Sequence, residues 1–136
     1  MPETPVANPV PPPYGQRAPT DISSPLFSVA ERRVGQRAVL SVAGEVDIST
    51  AEELRTAIET AAGGASEVWV DLSETTFMDS SGLHAMVRAR ADLADANLRL
   101  KLICPDGLVL RVLKLTSLDR FFEIYANRSD ANHATA

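Results

Sequence analysis

Residues 68 to 83, Val68-Trp69-Val70-Asp71-Leu72-Ser73-Glu74-Thr75-Thr76-Phe77-Met78-Asp79-Ser80-Ser81-Gly82-Leu83, pass from one kind of local order to another. The first five are rich in β-branched and aromatic side chains and are bounded by turn formers, so they read as a short buried strand. Asp79, Ser80 and Ser81 then stand where a chain enters a helix, and apolar spacing carries that helix from about Ser81 to Ala94. A strand that leads through a cap-rich loop into a helix is the repeating unit of an α/β fold.

Working outward, the same alternation continues on both sides. Leu26 to Val29 is a candidate first strand, Arg33 to Gln36 a turn, and Ala38 to Ala43 a second strand with Leu40 and Val42 on one face. Leu54, Ala57, Ile58 and Ala61 recur at helical spacing, which predicts a helix from about Thr50 to Ala62. Ser49-x-x-Glu52 and Thr50-x-x-Glu53 both fit a capping box, so the helix start is marked twice and its register stays open. Gly63-Gly64 ends it. Downstream, Leu98 to Ile103 alternates as a strand with one covered and one wetter face. Asp106 is placed to cap a third helix running to about Leu115, with Leu108, Val112 and Leu115 inward. Phe122 to Tyr125 closes as a short strand. The order β-β-α-β-α-β-α-β predicts a small mixed sheet packed with α-helices. Helical crossovers favour parallel pairing, and the opening hairpin adds an antiparallel pair.

The 136-residue length fits one such domain with some excess. Of nine prolines only Pro105 lies beyond Pro25. Residues 1–24 are therefore read as a disordered proline-rich arm, with polyproline character from Val10 to Tyr14. The domain is expected over 25–126, and the polar segment 127–136, which includes His133, as a loose tail. A net charge of −5 without a basic stripe argues against a nucleic-acid partner. No apolar run approaches the roughly 20 residues of a membrane helix. The N-terminus lacks the basic segment and apolar core of a secretion signal, so the expected compartment is the cytoplasm. The single cysteine, Cys104, leaves no internal disulfide and no multi-cysteine metal site, and reads as a small buried apolar residue at a strand end.

The loop at Asp79-Ser80-Ser81-Gly82 admits three chemistries. As a helix cap, Asp79, Ser80 or Ser81 would accept a first-turn amide, contributing about 1 kcal/mol, while Gly82 lets the backbone approach a neighbour closely. As a nucleophile elbow it fails the G-x-S-x-G pattern, and neither His84 nor His133 has a carboxylate evidently placed to orient it. The phosphate-cradling G-x-x-x-x-G-K-[ST] pattern is also absent. As a phosphoacceptor, a hydroxyl at an exposed helix N-terminus would be reachable by another enzyme. Free amides and the helix dipole there favour an anion. Cap and phosphoacceptor both remain open on the residues alone.

The pattern as a whole resembles the STAS family, and within it the bacterial anti-sigma factor antagonists. Leu40-Ser41-Val42-Ala43-Gly44-Glu45-Val46-Asp47 is similar to that family's second strand and its G-E-[LIV]-D turn. Val68 to Ser73 is similar to its central strand, Phe77 to Leu83 to its phosphorylation loop, and Arg111 to Asp119 to its last helix and exit. The resemblance implies a switch without catalysis of its own. Ser80 would be the phosphoacceptor, and Asp47, Asp79, Ser81 and Gly82 would shape the docking surface. An anti-sigma factor serine kinase would bind the unmodified form, releasing its sigma factor, and a serine phosphatase would reset it. ATP and its metal would belong to the kinase, so no cofactor and no metal ligands are expected in this chain. His84, where the family often has glycine, and Arg88 share the face of Ser80 at i+4 and i+8 and join the expected partner surface. Ser117 stands where glycine is common. The alternative the family offers is an accessory subunit of a membrane transport system.

Overall fold

The structure, a computed structural model, describes residues 23–24 and 26–133. Its elements are β1 (Ser23–Ser24), β2 (Phe27–Val34), β3 (Arg37–Val46), α1 (Ala51–Ala62), β4 (Glu67–Met78), α2 (Ser80–Asp95), β5 (Arg99–Ile103), α3 (Leu108–Leu115), a 3-10 turn (Leu118–Arg120), β6 (Glu123–Tyr125) and α4 (Arg128–His133). The strands lie in chain order across one sheet, β1-β2-β3-β4-β5-β6. The first three pair antiparallel and the rest parallel. Each helical crossover therefore steps one strand further in the same direction, and crossovers of one hand lay α1, α2 and α3 on one face.

That face holds the main core. Leu40 and Val42 of β3, Val68, Val70 and Leu72 of β4, and Leu100 and Leu102 of β5 point into it by strand alternation. They meet Leu54, Ile58 and Ala61 of α1, Met86, Ala89 and Leu93 of α2, and Val109 and Leu113 of α3. The β-β-α-β-α-β-α-β order and the mixed sheet agree with the expected class, and β1 and α4 are additions to it.

Both additions fall on segments read as disordered. Ser23–Ser24, the end of the expected arm, pairs with β2, and residues 1–22 lie outside the described residues. The expected tail contains α4, which covers the reverse face of the sheet. Ala131 packs there with Val39, Trp69 and Ile103. Arg128 Nε donates to Asp71 Oδ2 at 2.7 Å, and its Nη2 donates to Ser41 Oγ at 3.0 Å. The polar look of this segment comes from the charges that fasten it, with one alanine as the apolar contact. Residues 134–136 lie outside the described residues.

The same helix corrects the reading of β5. Lys101 belongs to the face expected to be wetter, yet it is 0% exposed. Its Nζ donates to the Ala131 carbonyl at 2.9 Å and sits 5.4 Å from the ring centroids of Trp69 and Tyr125. A buried ammonium is costly unless paired. Here a carbonyl near the C-terminal end of α4 and two aromatic faces offset the lost hydration.

Three local expectations also shift. Thr50 holds the N-cap position of α1 but makes no side-chain cap bond to the helix. Its hydroxyl accepts from Asp47 N–H at 3.0 Å and donates to the Glu45 carbonyl at 3.0 Å, bracing the preceding turn instead. Gly107, not Asp106, occupies the N-cap of α3. The buried residues of α3 are Val109 and Leu113, and Val112 packs half-buried against the core as expected, while Leu108 and Leu115 are exposed. Arg111 and Lys114 mark its solvent side, and Val109 and Leu113 lie opposite them at helical spacing, so the two charges were the guide to its inward face.

Candidate functional site

The site lies where β3 and β4 end together. The second half of β4 is polar, yet Thr75 Oγ1 donates to the Val42 carbonyl at 2.8 Å and pairing with β3 continues. Register shifts between Ser41 and Ala43 and between Gly44 and Glu45 bring Val46 opposite Met78. Asp47 and Asp79 follow as the next residue of each strand. Asp79 N–H donates to the Val46 carbonyl at 3.1 Å, so one main-chain bond ties the two exits. Gly44 serves this arrangement through its backbone. It sits at φ +95°, and an added Cβ would lie 2.0 Å from the Leu26 carbonyl oxygen. No other residue type fits there.

Asp79 is the cap of α2. Its Oδ1 accepts from Ser81 N–H at 2.8 Å and Gly82 N–H at 3.1 Å, satisfying two first-turn amides. This corrects one expectation about the loop: those amides are not free for a second anion. Gly82 is buried, and a Cβ there would lie 2.7 Å from Met78 Cγ and 2.8 Å from Val46 Cγ1. The close approach expected of this glycine is thus the seating of α2 on the ends of β3 and β4. Ser80 is the first helical residue and is exposed, while Ser81 is half-buried.

Asp47 folds back on its own turn. Its Oδ1 accepts from Ser49 N–H at 2.9 Å and Ser49 Oγ at 2.7 Å. Hydrogen bonding from the Ser49 hydroxyl, opposed by partial burial and helped by the Ser49 amide and Thr50, holds its carboxyl below the usual carboxylate range.

Ser80, Ser81, His84 and Arg88 share the wall of an open cleft of about 470 Å³ between α1 and α2. Asp79 and Gly82 lie behind that wall as cap and seat, and Asp47 lies beside it. The opposite wall carries Ile48, Glu52 and Arg55, which the sequence reading does not single out. Ile48 is 83% exposed. The available signal was its position, a β-branched apolar side chain in a polar turn and off the buried face of α1. Arg55 pairs with Glu59 at 3.0 Å and with Asp92 of α2 at 3.1 Å, so it ties the two helices together. Cys104 is buried after β5, where burial and then the Asp71 charge push its thiol up to about 11. No helix among the described residues is long and apolar enough to cross a membrane.

A six-stranded mixed sheet with its crossover helices on one face and an exposed serine opening the second helix defines a class. The STAS domain family profile matches residues 29–131, and the chain belongs to that family. Among curated relatives, the anti-sigma-F factor antagonist RsfB of Mycobacterium tuberculosis is 30% identical over 95 residues, covering 69% of this chain and 77% of that protein. Among solved structures, an anti-sigma factor antagonist from Mycobacterium paratuberculosis aligns with a TM-score of 0.70 at 28% identity, covering 82% of this chain and 97% of that one. SpoIIAA of Bacillus, solved in its phosphorylated form, aligns with a TM-score of 0.59 at 21% identity over 79% of this chain and 98% of its own, a likeness of fold.

Proposed function

We propose that the protein is an anti-sigma factor antagonist whose binding to an anti-sigma factor serine kinase is switched off by phosphorylation of Ser80. The observation that carries this reading is an exposed hydroxyl on the first residue of a well-capped helix, at the rim of a cleft that also displays Ile48. The relatives named as antagonists support the role. In the forward step Ser80 Oγ attacks the γ-phosphorus of ATP held by the kinase, the hydroxyl proton leaves to a base, and ADP departs. In the reverse step a phosphatase directs water at phosphorus, returning the hydroxyl and releasing inorganic phosphate. The kinase and phosphatase act on this chain from the cytoplasm.

Phosphorylation adds about −1.5 to −2 charges beside Asp79. A like charge brought to about 4 Å costs roughly 4 kcal/mol at an effective dielectric near 20, close to a thousandfold in affinity. That suffices for an on/off switch without unfolding. The test incubates the protein with its cognate kinase and ATP and maps the phosphate by mass spectrometry. Label on Ser80 is expected, and label elsewhere or none counts against the reading. By calorimetry Ser80→Ala should keep kinase binding and Ser80→Glu should weaken it. Equal affinities would contradict the switch.

A further inference from the structure

We infer that a phosphate on Ser80 takes the side chain of His84 as its counter-ion, inside the protein's own cleft. This rests on the reading of Ser80 as phosphoacceptor and concerns what the anion meets once attached.

An anion at a helix start normally turns to the first-turn amides. Here the Ser81 and Gly82 amides already donate to the Asp79 carboxylate, and Leu83 N–H is taken by the Asp79 carbonyl at 3.0 Å. A phosphate one residue from Asp79 is also repelled by that carboxylate. With these three amides taken, side chains on the cleft wall are the next source of stabilisation.

Three basic side chains face that space: Arg55 from α1, and His84 and Arg88 from α2. Arg55 is engaged by Glu52, Glu59 and Asp92. Arg88 lies two turns from Ser80, about 12 Å along the axis, and its charge acts on Asp92. His84 lies one turn away, at the spacing that puts Cβ atoms about 5–6 Å apart. Helical side chains lean toward the N-terminus, which favours a ring reaching back toward Ser80 in the cleft that both line. The His84 side chain is exposed and makes no hydrogen bond to any of the described residues. The acidic groups competing for it are Glu52, across the cleft, and Asp79, already bound by two amides. Pairing is strongest where an imidazole is protonated and the phosphate, with a second pKa near 6, is a dianion.

The full chain is made with phosphoserine installed at position 80 during translation, so the measurement does not depend on any kinase. The phosphorus NMR signal is followed against pH. In phosphorylated His84→Gln protein the phosphate should titrate about half a pH unit higher than in the phosphorylated parent, about a threefold change in proton affinity. Arg88→Gln should move it less. Carbon signals of the His84 ring should shift on modification while those of His133 stay in place. Coincident titration curves for the parent and His84→Gln, unmoved His84 signals, or a larger effect from Arg88→Gln would each overturn the pairing. Failure of a kinase to label Ser80 would instead overturn the earlier reading and leave these curves interpretable.

Discussion

Replacing Gly82 by alanine sets two opposite effects against each other. Alanine is favoured over glycine within a helix by about 1 kcal/mol, and less in the first turn. The new methyl, however, would lie 2.7 Å from Met78 Cγ and 2.8 Å from Val46 Cγ1, with Val46 Cβ at 3.3 Å. Met78 is flexible and can yield. Val46 is fully buried and β-branched, with little freedom at χ1. Its main chain is also fixed by the bond from Asp79 N–H. Overpacking of this kind costs typically 1–3 kcal/mol. The clash should win, leaving a net loss of about 1–2 kcal/mol. With a urea slope of about 1–3 kcal/mol per molar, the unfolding midpoint should fall by roughly 1 M at unchanged slope. Gly63→Ala is the control, because its Cβ would meet only the Thr60 carbonyl oxygen at 3.4 Å and the residue has φ −63°. That change should stay within about 0.5 kcal/mol of the parent. A Gly82→Ala protein as stable as the parent, or more so, would refute the reasoning about how α2 is seated.

Ser49→Ala removes the hydroxyl that most lowers the Asp47 carboxyl, so Asp47 should titrate nearer the ordinary carboxylate value when its carbon signal is followed by NMR. Because the folded pKa of Asp47 is depressed, its contribution to stability is present above the unfolded value near 3.9 and fades as pH falls through the folded one; the variant should lose part of that acid dependence. Arg128→Ala should cost about 1 kcal/mol, since the Arg128 side chain is 45% exposed, and should speed amide exchange in Arg128–His133 before the rest of the sheet. Cys104, buried and with its thiol pushed up to about 11, should resist a disulfide reagent at pH 8 in the native protein and react promptly in urea; rapid native reaction would contradict its placement.

The parts of the fold legible in the sequence were those where one physical demand acts alone. Leu54, Ala57, Ile58 and Ala61 announce α1 because all four are buried on one side. The second half of β4 was not legible: Ser73, Glu74 and Thr76 are exposed, and the pairing that keeps them in the sheet comes from β3. Lys101 misled because its burial depends on α4, some 30 residues later. Helix α4 itself is six residues long, too short to show a period, and is held by Arg128 and the Ala131 carbonyl. At the candidate site, a capping side chain among Asp79, Ser80 and Ser81, and Gly82 as a point of close approach, were readable from residue type; which of the three caps was not. Ile48 and Arg55 were not, because only the packing of α1 beside α2 brings them across from Ser80.

The single bond from Asp79 N–H to the Val46 carbonyl has a thermodynamic consequence. Two connecting segments that could otherwise sample conformations separately are joined into one preorganised tile, with Asp47 and Asp79 each spending its carboxylate on its own turn. A partner that docks there, as proposed, would find little backbone freedom left to quench, so the entropic cost of landing on loops would be small. Discrimination between two chemical states of such a tile can then be carried by its electrostatic potential, with its shape left unchanged.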